Sequence, residues 1–315
     1  MQKKLVVLGG GTGSSVLLKG LKYFPVDITA VVSVCDDGKS TGRLRREFNT
    51  IAVGDIRKVL VSMSETEPLV EELFNYRFDT TSDLDGHTVG NILLTAMLNI
   101  KANASECIES LGKILNLNGR ILPLTEDYVT LMGKTEDGKI IEGEEKITRS
   151  PNKIMDVFYK EKPVINSEVI KSIEEADAIL LSMGSLFTSI LPNLINDEVI
   201  EAIDKSKGKI IYTCNLMSQP GETGGFKSSD HIKFLNNHLG HKKINTVLLN
   251  NGFIDKKTLK KYETKEQKDL VEVDKEEIKK IVPKLIMNDY ITIIDEVIRH
   301  NASKLSLDIM SDLID

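Results

Sequence analysis

Lys4-Leu5-Val6-Val7-Leu8, followed directly by Gly9-Gly10-Gly11-Thr12-Gly13-Ser14-Ser15, is the most informative segment of this 315-residue chain. Its first five residues are typical of a buried strand, and the apolar residues that begin at Val16 repeat at helical spacing. A glycine turn between a strand and a helix can hold a phosphate group, because the backbone approaches the ligand closely and free N–H groups of the helix point at it. We therefore predict that an anion is bound by Gly10, Gly11, Thr12, Gly13 and Ser14.

The match of this turn to the dinucleotide-binding fingerprint is incomplete. Gly9 and Gly11 occupy the first two glycine positions of the fingerprint, but Ser14 stands where the third glycine is expected. The turn could still hold NAD, which would make the chain a dinucleotide oxidoreductase, although we find no pair of residues suited to hydride transfer. A tight turn without a ligand is the remaining interpretation.

A second buried strand is predicted over residues 28–35, and it leads into two adjacent carboxylates. Glycines, hydroxyls and cations follow directly, in residues 38–46. Mg²⁺ prefers carboxylate oxygens, and hydroxyl and guanidinium groups bind phosphate oxygens. We predict that Asp36 and Asp37 contact magnesium, or otherwise bond ribose or sugar hydroxyls. The far phosphate oxygens are predicted to contact Ser40, Thr41 and Arg45.

Further strands are predicted near 178–182, 209–214 and 246–250, each followed by glycine or amide residues. In open α/β sheets, ligands bind outside the carboxyl ends of the strands, so one crevice could collect these loops. The start of the helix predicted near Gly90 also contains glycines and small polar residues, and we expect it to face the same crevice. The predicted ligand-binding set is completed by Asn91, Gly184, Ser185, Asn215 and Glu222, the last as a contact to a sugar hydroxyl.

Strand and helix patterns alternate along the chain, which predicts an α/β fold with a doubly wound, mainly parallel, Rossmann-like sheet. We expect one domain over residues 1–315, with a small β-hairpin near 130–147 around the turn Asp137-Gly138. Asp55 is expected to cap a helix over 56–63. A helical face over 297–307 is a candidate contact between subunits of a homo-oligomer.

Composition and charge exclude several classes of function. The net charge of −6 argues against general affinity for nucleic acid, and the absence of Trp together with 5% aromatic residues removes the stacking platforms of single-strand binders. No apolar stretch approaches the length of a membrane span, and the first twenty residues lack a signal-peptide pattern. Three widely separated cysteines are expected to be reduced thiols. These features predict a cytoplasmic protein whose partner is a small molecule.

Six motifs occur along the chain, at residues 9–13, 36–45, 54–57, 90–91, 184–194 and 214–223. In content and order they resemble the motifs of the YvcK gluconeogenesis-factor family, which is related to the 2-phospho-L-lactate transferases, or CofD-like proteins. The resemblance extends from Lys4 to about residue 305. One departure is Ser182-Met183 before Gly184-Ser185, where the family usually has Gly-Pro.

The resemblance implies a regulatory protein that binds a UDP-sugar and controls cell shape and the cell wall during growth on gluconeogenic carbon sources. The related transferases imply an alternative, an enzyme that moves a phospholactyl group from a nucleotide-diphosphate donor to a deazaflavin acceptor. Such an acceptor would be expected to stack on aromatic rings. The only aromatic residues near the strand-end loops are Phe187, Phe226 and Phe253, which gives the enzyme weak support. We therefore favour the binding protein over the enzyme.

Overall fold

The computed structural model of the chain describes residues 2–266, 268–294 and 297–314. These residues form the strands β1 (Lys3–Gly9), β2 (Val26–Val32), β3 (Arg120–Pro123), β4 (Leu131–Thr135), β5 (Ile140–Glu142), β6 (Ile154–Tyr159), β7 (Ala178–Leu181), β8 (Lys209–Thr213), β9 (Thr246–Asn250), β10 (Lys284–Asn288), β11 (Ile291–Ile294) and β12 (Val297–His300).

The helices cover most of the remaining described chain. They are α1 (Gly11–Leu21), α2 (Lys39–Phe48), α3 (Gly54–Met63), α4 (Pro68–Asn75), α5 (Val89–Ile100), α6 (Ala104–Ile114), α7 (Glu144–Thr148), α8 (Ser167–Glu174), α9 (Leu191–Leu194), α10 (Asp197–Lys205), α11 (Ser228–His238), α12 (Lys256–Glu266), α13 (Lys275–Ile281) and α14 (Ala302–Ile314). A π-helical turn, Leu186–Ile190, leads into α9.

A parallel sheet of seven strands, in the order β10-β9-β8-β7-β1-β2-β3, forms the centre of the molecule. The apolar residues Leu5 to Leu8 of β1 are all buried, as expected for a strand covered on both faces by helices. The predicted α/β, mainly parallel, Rossmann-like sheet is confirmed. The predicted strands correspond to β1, β2, β7, β8 and β9, and β3 and β10 extend the two edges.

The path of the chain through the sheet produces a crevice beside β1. From β1 the chain proceeds outward through β2 and β3, and it later proceeds in the opposite direction from β7 to β10. The carboxyl ends of β1 and β7 therefore border a topological switch point, which is where ligands of open α/β sheets bind.

A separate antiparallel sheet, in the order β5-β4-β6, accounts for the predicted hairpin near 130–147. Strands β4 and β5 flank the Asp137-Gly138 turn as expected. The end of the predicted range instead forms the short helix α7, and β6 adds a third strand that the sequence pattern did not indicate.

Two local expectations were wrong. Helix α3 begins at Gly54 with Val53 as its N-cap, so Asp55 is inside the helix and does not cap it. Residues 297–307 are not one helix, because Val297–His300 is a strand paired with β11 and α14 begins at Ala302. Within the described chain, no helix has both the length and the apolar character needed to cross a membrane.

Candidate functional site

A pocket of about 800 Å³ opens at the carboxyl ends of the central strands. Most of the residues predicted from the sequence line it: Gly10, Gly11, Thr12, Gly13, Asp36, Ser40, Thr41, Asn91, Gly184, Ser185 and Asn215. Four predicted residues lie outside its lining: Ser14, Asp37, Arg45 and Glu222. The fold thus brings distant segments into one crevice, and the binding role of each residue stays a prediction.

The glycine turn after β1 presents backbone donors to this pocket. Gly10 is the N-cap of α1 and makes no side-chain capping bond, so the first N–H groups of the helix are not satisfied by a capping side chain. Gly11 has a φ of +65°, a left-handed conformation that glycine adopts without strain. This arrangement suits an anion placed at the helix N-terminus.

Gly13 and Ser14 hold the turn against the loop that follows β7. A β-carbon on Gly13 would lie 2.5 Å from the carbonyl oxygen of Met183, so a larger residue would force the two segments apart. The hydroxyl of Ser14 lies 2.8 Å from that of Ser182, and both residues are buried. The side chain of Ser14 therefore packs behind the pocket wall, at the fingerprint position where a third glycine allows close packing.

Two carboxylates, Asp36 and Asp55, border the pocket together with Lys58. The Nζ atom of Lys58 lies 3.0 Å from Oδ1 of Asp55. Burial raises the pKa of Asp36, and the negative charge of Asp55 raises it further. A cation between the two carboxylates would relieve this repulsion. The pair therefore fits a Mg²⁺ ion of the kind that takes one or two carboxylates and completes its shell with water and ligand phosphates.

Asp37, the other predicted magnesium contact, has a different role in the structure. Its Oδ1 accepts a hydrogen bond of 2.8 Å from the backbone N–H of Glu145, in the first turn of α7. Asp37 therefore anchors that helix. Among the described residues, no group of three or more His, Cys, Asp or Glu side chains is placed to hold a metal ion.

Arg45, predicted to bind phosphate, lies behind the pocket wall. Its guanidinium group donates to the carbonyl oxygen of Cys35 at 3.3 Å and to that of Val129. The group also stacks over the ring of Tyr128, at 4.1 Å from the centroid. Arg45 thus fixes the loop that carries Asp36 and does not reach the pocket.

Ser40 and Asn91, which both line the pocket, belong to one hydrogen-bonded group. The Nδ2 atom of Asn91 donates to Oγ of Ser40 at 3.1 Å, and Nδ1 of His87 lies 3.0 Å from the same oxygen. Burial lowers the pKa of His87, and the nearby guanidinium of Arg43 lowers it further. The Oδ1 atom of Asn91 is buried and has no hydrogen-bond partner in the protein, which is unusual for a buried acceptor and typical of one that a ligand or an ordered water satisfies.

Glu222 is wholly buried and reaches the pocket only through another side chain. The hydroxyl of Ser185 donates to Oε2 of Glu222 at 2.6 Å. Burial raises the pKa of Glu222 to about 7, against the lowering effect of its hydrogen bonds from Ser185 and the backbone of Phe187. The predicted direct contact of Glu222 with a sugar hydroxyl is therefore absent from this arrangement.

Several charged residues that line the pocket were not predicted from the sequence: Lys39, Asp55, Arg57, Lys58, Arg77, Glu144, Glu145, Arg149, Lys268 and Arg299. Asp55 and Arg57 lie in a motif that we had noted at 54–57, and that motif was the available signal. Glu144 gave none, because it lies within the range of the predicted hairpin and only the fold brings it to the pocket. Burial raises its pKa to about 8, with a contribution from Asp36.

The parallel sheet and the glycine-turn pocket define an α/β protein of Rossmann-like architecture. A family model described as 2-phospho-L-lactate transferase CofD matches residues 5–291. The gluconeogenesis factor of Bacillus subtilis is 43% identical over 304 residues, with 96% of each chain covered. That of Halalkalibacterium halodurans is 42% identical, with 97% of this chain and 95% of the relative covered.

A crystal structure of a Bacillus halodurans protein gives the same result at the level of the fold. It superimposes with a TM-score of 0.94 at 42% identity, covering 98% of this chain and 100% of the other. The chain therefore belongs to the CofD family and, within it, groups with the gluconeogenesis factors.

Proposed function

We propose that this protein is a regulatory protein that binds a nucleotide-sugar, such as a UDP-sugar, and acts during growth on gluconeogenic carbon sources. The name of its relatives supports the gluconeogenic role, and cell shape and the cell wall are the proposed targets of control. One observation carries the binding function. The glycine turn and the start of α1 face a pocket of about 800 Å³, which is large enough for a base and a sugar on either side of a diphosphate.

Buried carbonyl oxygens without protein partners support a ligand that carries hydrogen-bond donors. Oδ1 of Asn91, Oδ1 of Asn215 and Oε1 of Gln219 are all of this kind, and the three residues line the pocket. A uracil N–H group and sugar hydroxyls are donors that such oxygens accept. Asn250, a further amide at a strand end, has its Oδ1 occupied by the backbone N–H groups of Gly252 and Tyr290.

Magnesium is proposed as a companion of the diphosphate. Asp36 and Asp55 would supply the carboxylate oxygens, and the phosphates and water the remaining ligands. Lys58 neutralises only part of the charge of the two carboxylates, through Asp55. Because the remaining charge repels a diphosphate, the nucleotide-sugar is expected to bind weakly without the metal and more tightly with it. If binding does not depend on the metal, these carboxylates bond ribose or sugar hydroxyls.

The alternative function, phospholactyl transfer to a deazaflavin, is supported by the matching family model. The same pocket would hold the nucleotide-diphosphate donor. Aromatic stacking for the acceptor is limited, however. Phe187 is buried, Phe253 is 85% exposed, and neither lines the described pocket, to which Tyr262 contributes a ring. NAD binding by the glycine turn is the third candidate.

A thermal-shift panel of nucleotides and nucleotide-sugars, followed by a search for products, tests these candidates. Ligands that bind the native state raise the melting temperature in proportion to the logarithm of ligand concentration over Kd. A shift with UDP-N-acetylglucosamine and recovery of the unchanged ligand supports the regulatory protein. Release of GMP from lactyl-diphosphoguanosine in the presence of a deazaflavin would establish the transferase instead. A shift with NAD alone would contradict both.

A further inference from the structure

Two hydroxyl groups connect the pocket wall to the buried carboxyl group of Glu222. Oγ1 of Thr188 donates to Oγ of Ser185 at 2.9 Å, and that oxygen donates in turn to Oε2 of Glu222 at 2.6 Å. Thr188 and Ser185 line the pocket, whereas Glu222 is 0% exposed. The titratable carboxyl group of Glu222 is thus connected to the pocket surface through two hydroxyl groups.

The direction of the hydrogen bond between Ser185 and Glu222 is fixed while Glu222 is ionised. A carboxylate can only accept, so the single proton of the Ser185 hydroxyl is directed at Glu222. The oxygen of Ser185 accepts from the backbone N–H of Thr188 at 3.1 Å and from the Thr188 hydroxyl. The Thr188 proton is directed at Ser185 or at the carboxyl group of Glu144, which also hydrogen bonds to Thr188, so it is not directed at a ligand.

A proton on Glu222 allows every bond in this chain to reverse. The carboxylic acid donates to Ser185, and Ser185 donates to Thr188. The Thr188 proton is then released from Ser185 and, while Glu144 is neutral, can be donated to a ligand. No heavy atom has to move. Because the buried negative charge also disappears, the protonated state is favoured by an anionic ligand on two counts, a new hydrogen bond and less repulsion.

We propose that Glu222 is a positioning residue that couples the uptake of one proton to the binding of an anionic ligand, with Ser185 and Thr188 as the connecting groups. This inference rests on the proposed function, because it takes the pocket to be the binding site of a diphosphate. It assigns Glu222 a role in regulating affinity, without contact with the ligand.

Backbone hydrogen bonds position the loop that carries Glu222. The backbone N–H groups of Glu222 and Thr223 donate to the carbonyl oxygen of Gln219, at 3.1 and 3.0 Å. The carbonyl oxygen of Gly221 accepts from the N–H of Ile154 at 2.8 Å, which ties the loop to β6. The carboxyl group is therefore held in place against Ser185.

Among the described residues, few charged or titratable groups lie near the hydrogen bonds that join Thr188, Ser185 and Glu222. From α7, Glu144 hydrogen bonds to Thr188 and is itself a carboxyl group of raised pKa. Near the loop, the ammonium group of Lys153 lies 5.0 Å from the ring centroid of Phe226. On α11, His231 contacts the same ring, and burial lowers its pKa to about 4, so it is neutral at physiological pH. The pKa of Glu222 itself, about 7, lies within the physiological range.

Isothermal titration of the full chain with UDP-N-acetylglucosamine between pH 6 and 8, in buffers of different ionisation enthalpy, tests the proposal. The diphosphate of this probe does not titrate in that range. The wild type is expected to bind more tightly at pH 6, with affinity falling by up to about tenfold per pH unit above the pKa of Glu222, and to take up protons on binding. Glu222→Gln, which is neutral and can donate to Ser185, is expected to bind tightly throughout and to lose the part of the uptake due to Glu222.

Two further variants make the result specific. Ser185→Ala breaks the hydrogen-bond chain and is expected to weaken the pH dependence, whereas Glu142→Gln changes an exposed carboxylate paired with Lys160 and should behave as wild type. An unchanged pH profile and proton uptake in Glu222→Gln would overturn the proposal. Sulfate, which also does not titrate here, serves as a second probe. Proton-linked sulfate binding without any UDP-sugar binding would refute the proposed function and retain the coupling, and a wild type that binds neither would refute both.

Discussion

Gly11 and Gly13 stand two residues apart in one turn but meet different physical demands. Gly11 has a left-handed backbone, and a β-carbon there would lie 3.5 Å from Asp55, an ordinary contact distance. Gly13 is required by the close approach of Met183. Substitution at Gly11 therefore tests ligand binding, while substitution at Gly13 tests packing.

Gly11→Val is expected to abolish or strongly weaken binding of UDP-N-acetylglucosamine, by more than about tenfold in Kd, because the side chain blocks close approach to the backbone. The left-handed conformation should also cost about 1–2 kcal/mol of stability. Gly138→Val is the matched control, since Gly138 has a φ of +81° in the hairpin turn, remote from the pocket. Calorimetry and thermal melts should show a similar loss of stability in both variants and loss of binding only in Gly11→Val. Wild-type affinity in Gly11→Val would exclude the site.

The buried carboxyl of Glu222 also predicts how stability changes with pH. Its pKa is about 7 in the folded protein against 4.5 ordinarily, so the folded state binds the proton more tightly. The contribution of Glu222 to stability is therefore complete below pH 4.5 and is lost as pH rises through 7, by about 3 kcal/mol. Glu222→Gln removes this loss, so its melting temperature relative to wild type should be higher at pH 8 than at pH 5. An equal difference at both values would contradict the buried ionisation.

Helix α7 shows how a short element can carry a site residue into a pocket. Glu144 lies at its first position, and the helix is anchored by the hydrogen bond from Glu145 N–H to Asp37. Gly143, just before it, has a φ of +102° and packs against the carboxylate of Asp37. The carboxylate of Asp37 thus positions an element, whereas that of Asp55 borders the pocket.

This difference predicts opposite behaviour for two variants. Asp37→Asn keeps an oxygen acceptor for Glu145 N–H, so the dependence of ligand affinity on magnesium should be retained. Asp55→Asn removes a proposed metal ligand, so added magnesium should no longer tighten binding of the nucleotide-sugar. Asp37→Ala should cost about 1 kcal/mol of stability, as the loss of a helix cap does. Calorimetry with and without magnesium separates the cases, and loss of the metal effect in Asp37→Asn would return the metal site to Asp36 and Asp37.

Across the described residues, the main core extends from Leu5 to Leu313. A smaller cluster beside the pocket joins α12 and β12 to the loops that follow β8 and precede α12. That cluster consists of Leu216, Ile254, Tyr262 and Ile298. Because Tyr262 also lines the pocket, this small core positions one of its walls.

A homo-oligomer is the expected assembly, and symmetric dimers are the most common form of such assemblies. The helical face proposed over 297–307 does not exist as such, so any contact would have to use α14 or another surface. Sedimentation equilibrium at micromolar concentration should give a mass near twice 35.1 kDa. A single species at 35.1 kDa over that range would exclude the dimer.

The local sequence was sufficient to predict most strands of the central sheet and many residues of the pocket lining. Strands buried on both faces are continuous apolar runs, and a strand followed by glycines is visible without any knowledge of the fold. Gly10, Gly11 and Thr12 could be identified in this way, and the topology rule placed their neighbours Gly184 and Asn215 at the same edge. The edge strand β3 was missed because it begins with a charged residue and ends in a proline, whereas the equally short β7 is entirely apolar.

The direction in which each side chain points could not be read from the chain, because it depends on packing between segments distant in sequence. Asp36 and Asp37 are adjacent and chemically alike, yet one borders the pocket and the other anchors α7. Arg45, on α2, is held by carbonyl groups of the loop before that helix and of a distant loop. The alignment of Thr188, Ser185 and Glu222 joins loops after β7 and β8, which meet only because those strands are neighbours in the sheet.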